Sequence, residues 1–116
     1  MPRLSFNDLV DKCPRAYLVV GTVESLAVVT PAEAAVARLI EAHRPKGDWA
    51  TGPMQDGLGF SVHCVFERKD DADRLAAAVQ ATGIGRYPGF ASQRAFLLNA
   101  KTRKAITAVL AEQSRR

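Results

Sequence analysis

This chain is poor in the residues that usually announce chemistry. It holds two cysteines, two histidines and one tryptophan in 116 residues. Cys13 and Cys64 are far apart and no C-x-x-C occurs, so a local redox pair or metal knuckle has no support. No apolar run is long enough to span a bilayer, which argues against a membrane role. The first residues lack the basic-then-apolar pattern of a secretory leader, and no lipidation motif is present. The expectation is a cytoplasmic, reducing setting in which each cysteine serves as a small hydrophobe.

Motifs of catalysis are missing too. No G-x-S-x-G, H-E-x-x-H or G-K-[ST] occurs. His63 and Cys64 are neighbours on one strand, so their side chains point to opposite faces and cannot form a nucleophile–base pair. The glycine pairs 57/59 and 83/85 precede a strand and follow a helix, whereas a phosphate loop leads from a strand into a helix. Turn and cap duties explain both. Asp70, Asp71 and Asp73 cluster at a helix start, where acidic residues are favoured by the dipole. On these grounds no catalytic residue, cofactor or metal ligand is assigned.

What is present describes a folded α+β chain. The composition is 47% hydrophobic and 24% charged, and the length suits one domain over residues 1–116. Ser5 opens a short helix through Phe6, Leu9, Val10 and Cys13, which Pro14 stops. This helix is expected to lie as a lid over one edge of the core. Residues 16–22 (AYLVVGT) read as a nearly all-apolar strand. Residues 25–29 either continue that strand or form a hairpin with it. Thr30 as cap, Pro31 at the first helical position and Glu33 as capping box predict a helix that carries Val36, Leu39, Ile40 and His43 on one face. Residues 45–59 read as a long turn-rich loop with one short edge strand near Trp49 to Thr51.

The clearest pattern follows. Phe60, Val62, Cys64 and Phe66 alternate with Ser61, His63, Val65 and Glu67, the period of a half-buried strand. Asp70 then caps a helix, with Ala72, Leu75, Val79 and Thr82 on one face and Gly83 at its close. Residues 91–98 read as a strand. Asn99 caps a last helix with the stripe Thr102, Ala105, Ile106, Val109 and Leu110.

The resulting order contains β-α-β-β-α-β, a ferredoxin-like core with an extra helix at each end, its helices gathered on one face of an antiparallel sheet. The segment Asp56-Gly57-Leu58-Gly59-Phe60 resembles the central strand motif of RNA-recognition motifs. Either alignment with that motif retains one aromatic at the stacking positions, so the resemblance implies a shared topology and nothing about bases.

Function is then read from surfaces. The strand period leaves one sheet face open, with Val19, His63, Val65 and Leu97 on it, and predicts a homodimer formed through that face or an edge strand. The result is a non-enzymatic interaction domain. Charge gives an alternative. Residues 1–85 carry nine Lys/Arg against eleven Asp/Glu, and residues 86–116 carry seven against one. Arg86, Arg94, Lys101, Arg103 and Lys104, with Arg115 and Arg116, form a candidate nucleic-acid surface. A third expectation is a small-molecule pocket under the 45–59 loop, with Trp49, His63 and Arg94 as its residues.

Overall fold

The structure, a computed structural model, describes residues 5–24, 26–56, 59–85, 87 and 89–114. Ser25, Gly57, Leu58, Arg86, Arg115 and Arg116, which figure in the readings above, lie outside the described residues. In chain order the elements are α1 (Phe6–Lys12), β1 (Tyr17–Val23), α2 (Val29–Ala42), β2 (Trp49–Asp56), β3 (Gly59–Phe66), α3 (Lys69–Ala78), β4 (Ser92–Leu97) and α4 (Ala100–Ser114). The protein is therefore α+β, with four helices and one four-stranded mixed sheet ordered β2-β3-β1-β4.

Strand β3 sits between β2 and β1 and is antiparallel to both. That makes β1 and β2 parallel across β3, so α2 is the crossover of a split β-α-β unit. The second half differs from expectation. Two such crossovers would set β4 antiparallel to β1, but β4 runs parallel to β1. The cause is the segment after α3. It first runs along the outer edge of β4, where Thr82 and Gly83 donate to the Ala95 carbonyl at 3.1 Å and Ala95 donates back to Gly83. Only then does the chain turn and enter β4 in the opposite sense. The sheet is mixed and not antiparallel throughout.

The period of two in β3 divides the core as its spacing requires. Val62, Cys64 and Phe66 face α2, α3 and α4, and join Val19, Val36, Leu39, Ile40, Leu75, Phe96 and Ile106 in the main cluster. On the other face, Val65 and Ala50 pack beneath α1 with Leu9 and Ala16. Helix α1 therefore covers the second sheet face and is not a lid at one edge of the core. Its amphipathic spacing meets apolar sheet residues: Phe6, Val10 and Cys13 flank Leu9 on that face.

Helix boundaries move where side chains find better partners than caps. Ser5 and Asn99 do cap, accepting from the amides of Asp8 at 3.2 Å and Thr102 at 2.9 Å. Thr30 does not. A 3₁₀ turn over Leu26–Val28 runs straight into α2, and Val28 stands at the cap position. The Glu33 carboxylate, expected in a capping box, instead accepts from the Thr51 hydroxyl at 3.1 Å and ties α2 to β2. Helix α3 starts after Arg68, not Asp70, and ends at Ala78, well short of Gly83. Gln80 takes the left-handed conformation that closes it (φ 56°), with Ala81 donating to the Ala76 carbonyl at 2.8 Å.

The short edge strand expected near Trp49 to Thr51 is present but longer, running through Asp56 where the sequence reads as loop. Gly52 and Pro53 argue against a central strand, but an edge strand tolerates both, and β2 is an edge. Asp56 pairs with Gly59, so β2 and β3 are joined by two residues. Trp49 opens β2 opposite Phe66 and packs half-buried against the main core.

Candidate binding groove

The residues singled out from the sequence do not converge. Trp49 and Arg94 share the helix side of the sheet, since Trp49 pairs with Phe66, and Arg94 with Val19. His63 lies on the other side. It is 3% exposed, and so is not the outward-facing imidazole that the strand period suggests. The Phe6 ring of α1 lies 5.9 Å away and the Tyr87 ring 4.5 Å away, edge-on. Val65 is fully buried, and Val19 is buried on the opposite face with Cys64. Of the four residues assigned to an open face, only Leu97 is exposed.

The basic candidates separate in the same way. Arg94 is held by Asp73 at 3.2 Å. Lys101 and Lys104 are exposed on the first turns of α4. Arg103 between them is partly buried, with its Nε enclosed and without a hydrogen-bond acceptor.

Thiol chemistry finds no support at either cysteine. Cys64 is wholly buried. Cys13 packs beside Glu67, its sulfur 3.8 Å from the carboxylate, and Lys12 bridges Glu67 and Asp48. Burial, then the Glu67 charge, push the Cys13 thiol above its ordinary pKa and keep it protonated at neutral pH. Among the described residues no group of three His, Cys, Asp or Glu side chains could hold a metal ion. No helix among them is long and apolar enough to cross a membrane.

A different site emerges where three helix ends meet. Helix α2 ends at His43, with Arg44 in the left-handed conformation (φ 52°) just before Pro45. Helix α3 is capped at Val79, and α4 begins after Asn99. Arg74 of α3 donates to the His43 carbonyl at 2.7 Å and fixes the end of α2 against α3. Thr102 donates its hydroxyl to the Leu97 carbonyl at 2.9 Å and fixes the start of α4 against the end of β4. Between these ends lies an open groove of about 650 Å³.

The groove has a graded lining. Its floor is Leu39, Val79 and Ile106, all buried in the core. Ala78, Ala105 and Val109 form walls, and Val109 is 44% exposed. His43, Gln80, Asn99, Lys101 and Thr102 supply the polar rim. An apolar floor with a few polar groups around it is the usual character of a ligand site, and the volume falls within the common range of roughly 300–1,000 Å³. The stripe Thr102, Ala105, Ile106, Val109 and Leu110 is legible as apolar, and Leu110 does pack against the main core. The signal missed is its width. Ile106 alone of that stripe is buried, so the Ala105–Val109 flank is left to line the groove.

Burial, then the nearby Arg74 guanidinium, lower the His43 pKa below its ordinary 6.5. The folded protein therefore holds the neutral imidazole, and unfolding takes up a proton below about pH 6.5. This contribution to stability is complete above that pH and is lost as pH falls through the lowered value. Chemical denaturation at pH 7.5 and pH 5 is expected to show a smaller loss for His43→Asn than for the wild-type chain. An equal loss in both would remove His43 as the cause.

Comparison of the chain with protein-family models, curated proteins and solved structures gives no match.

Proposed function

We propose that this protein is a binding domain, not an enzyme, and that its recognition site is the groove between α2, α3 and α4. The carrying observation is the 650 Å³ groove with an apolar floor and a polar rim. The rim offers an imidazole, two amides, a hydroxyl and an ammonium, a set suited to orienting a ligand. Self-association through the sheet has less in its favour. The exposed large hydrophobics among the described residues are Ile84, Leu97 and Val109, on three separate segments. A standard interface takes about 800 Å² from each partner, and scattered single residues do not supply it.

The test uses a neutral apolar dye, Nile red, and a variant that fills the groove. Ala105→Trp sits on an exposed wall, so the fold should survive, as circular dichroism would verify. Dye fluorescence is expected to rise with the wild-type chain and to fall at least tenfold in affinity with the variant. Equal binding by both proteins would place the dye elsewhere and end this reading.

One observation favours a second reading. Lys101 and Lys104 project from the positive end of α4, with Arg103 between them. Three such charges would bind phosphates weakly, with a log–log salt slope of about −2 for single strands. Polarisation with short RNA and DNA should show that slope, and Arg103→Glu with Lys104→Glu should weaken every sequence alike. No binding at low salt would dismiss it.

A further inference from the structure

We infer that the groove takes a small amphipathic monoanion, a carboxylate with an unbranched apolar body, and that Lys101 is its anchor. This rests on the groove being the recognition site and adds the chemistry of its occupant. Lys101 is the only residue with a formal charge among those that line the groove, because burial and Arg74 keep His43 neutral. Among the described residues no carboxylate lines it. The positive end of the 15-residue helix α4 lies at the Lys101 part of the rim, whereas the C-terminal ends of α2 and α3, at His43 and Val79, carry the opposite sign, so the field that favours an anion is local to Lys101. The site therefore has one cationic group on a polar rim, over an apolar floor and wall formed by Val79, Leu39, Ile106 and Val109.

The charge count narrows the head group. Planar, bidentate recognition of dianionic phosphate is usually done by arginine, and among the described residues no arginine lines the groove. A single ammonium with a helix end matches one negative charge. The floor selects for an apolar body over a second polar group, since nothing on Leu39, Val79 or Ile106 could hydrogen-bond it. Medium-chain fatty carboxylates have this shape.

The experiment compares decanoate, decanol and acetate as competitors of Nile red, each below its own aggregation range. Decanoate is expected to displace the dye more tightly than decanol, and acetate not at all. Lys101→Met keeps the apolar stem and removes the charge. It should weaken decanoate about fivefold, the upper range of one exposed ion pair, and leave decanol unchanged. Added salt should weaken decanoate alone. Equal affinity for decanoate and decanol, or a Lys101→Met variant that binds decanoate as wild type does, would overturn the inference while the groove reading stands. Dye binding that survives Ala105→Trp would remove the groove itself. If Nile red binds in the groove and decanoate fails to displace it, the inference falls alone.

Discussion

Asp71→Ala is expected to cost the fold about 3 kcal/mol, the scale of losing charge-assisted hydrogen bonds and leaving buried donors behind. The Asp71 carboxylate is 4% exposed and stands in the first turn of α3. It accepts from the Lys46 amide at 3.0 and 3.2 Å and from the Gly47 amide at 3.0 Å. Those two amides belong to the chain that leaves α2 for β2, so one carboxylate fixes how α2, α3 and the sheet edge meet. Arg74, one turn on, holds the His43 carbonyl. Removing the carboxylate strips both amides of their acceptor at a part-buried turn. Asp70→Ala is the control. Asp70 is exposed and lies against Arg68, which lowers its pKa, and an exposed pair of this kind adds little. Urea unfolding should separate the two variants by midpoint at constant slope. Near-equal midpoints for Asp71→Ala and the wild type would show that the 45–48 turn holds without its carboxylate.

That contrast shows what a linear reading can and cannot reach. Asp70, Asp71 and Asp73 look alike in sequence, and the helix start explains all three. Only tertiary placement turns the second inward onto Lys46 and Gly47, while the first pairs with Arg68 and the third with Lys69 and Arg94. The alternation over Gly59–Phe66 correctly divided two sheet faces, because side-chain period is a local property of the strand. It could not say that the His63 face would be covered. That depends on where α1 and Tyr87 dock, and an amphipathic helix does not name its partner. Gly52 and Pro53 made the later part of β2 read as loop because propensity is blind to edge position. The direction of β4 was hidden for a related reason. It is set by the path of residues 79–85, where Thr82 and Gly83 bond the edge of β4 and Gly85 lies so near Gln93 that a Cβ would come within 2.9 Å of its side chain. The groove was half legible. Its α4 wall follows from helical spacing, whereas the walls from α2 and α3 exist only because those helices end beside one another.

The same dependence on close approach makes Gly21 the second sensitive position. Gly21 lies in β1 opposite Phe96 of β4, on the helix side of the sheet. A Cβ at this position would come 2.7 Å from the Phe96 Cζ and 3.2 Å from both Cε atoms. The ring is 6% exposed and shares the main cluster with Ile106 and Leu98, so it has little room to swing aside. Without that ring, glycine to alanine in a strand should help, by about 0.4–1 kcal/mol from lost freedom in the unfolded chain. With it, overpacking should dominate, and Gly21→Ala is expected to destabilise by about 2 kcal/mol. The two effects have opposite signs, so a double-mutant cycle reads the cause directly. In a Phe96→Leu background the same change should become neutral or stabilising, giving a coupling of about 2 kcal/mol between neighbours. Phe96 shares its cluster with Leu39, Val79 and Ile106 of the groove floor, so a displaced ring would disturb that cluster. Nile red affinity should therefore fall with Gly21→Ala and recover in the double variant. An identical cost for Gly21→Ala in both backgrounds would mean that the ring yields freely and that the glycine serves the backbone alone.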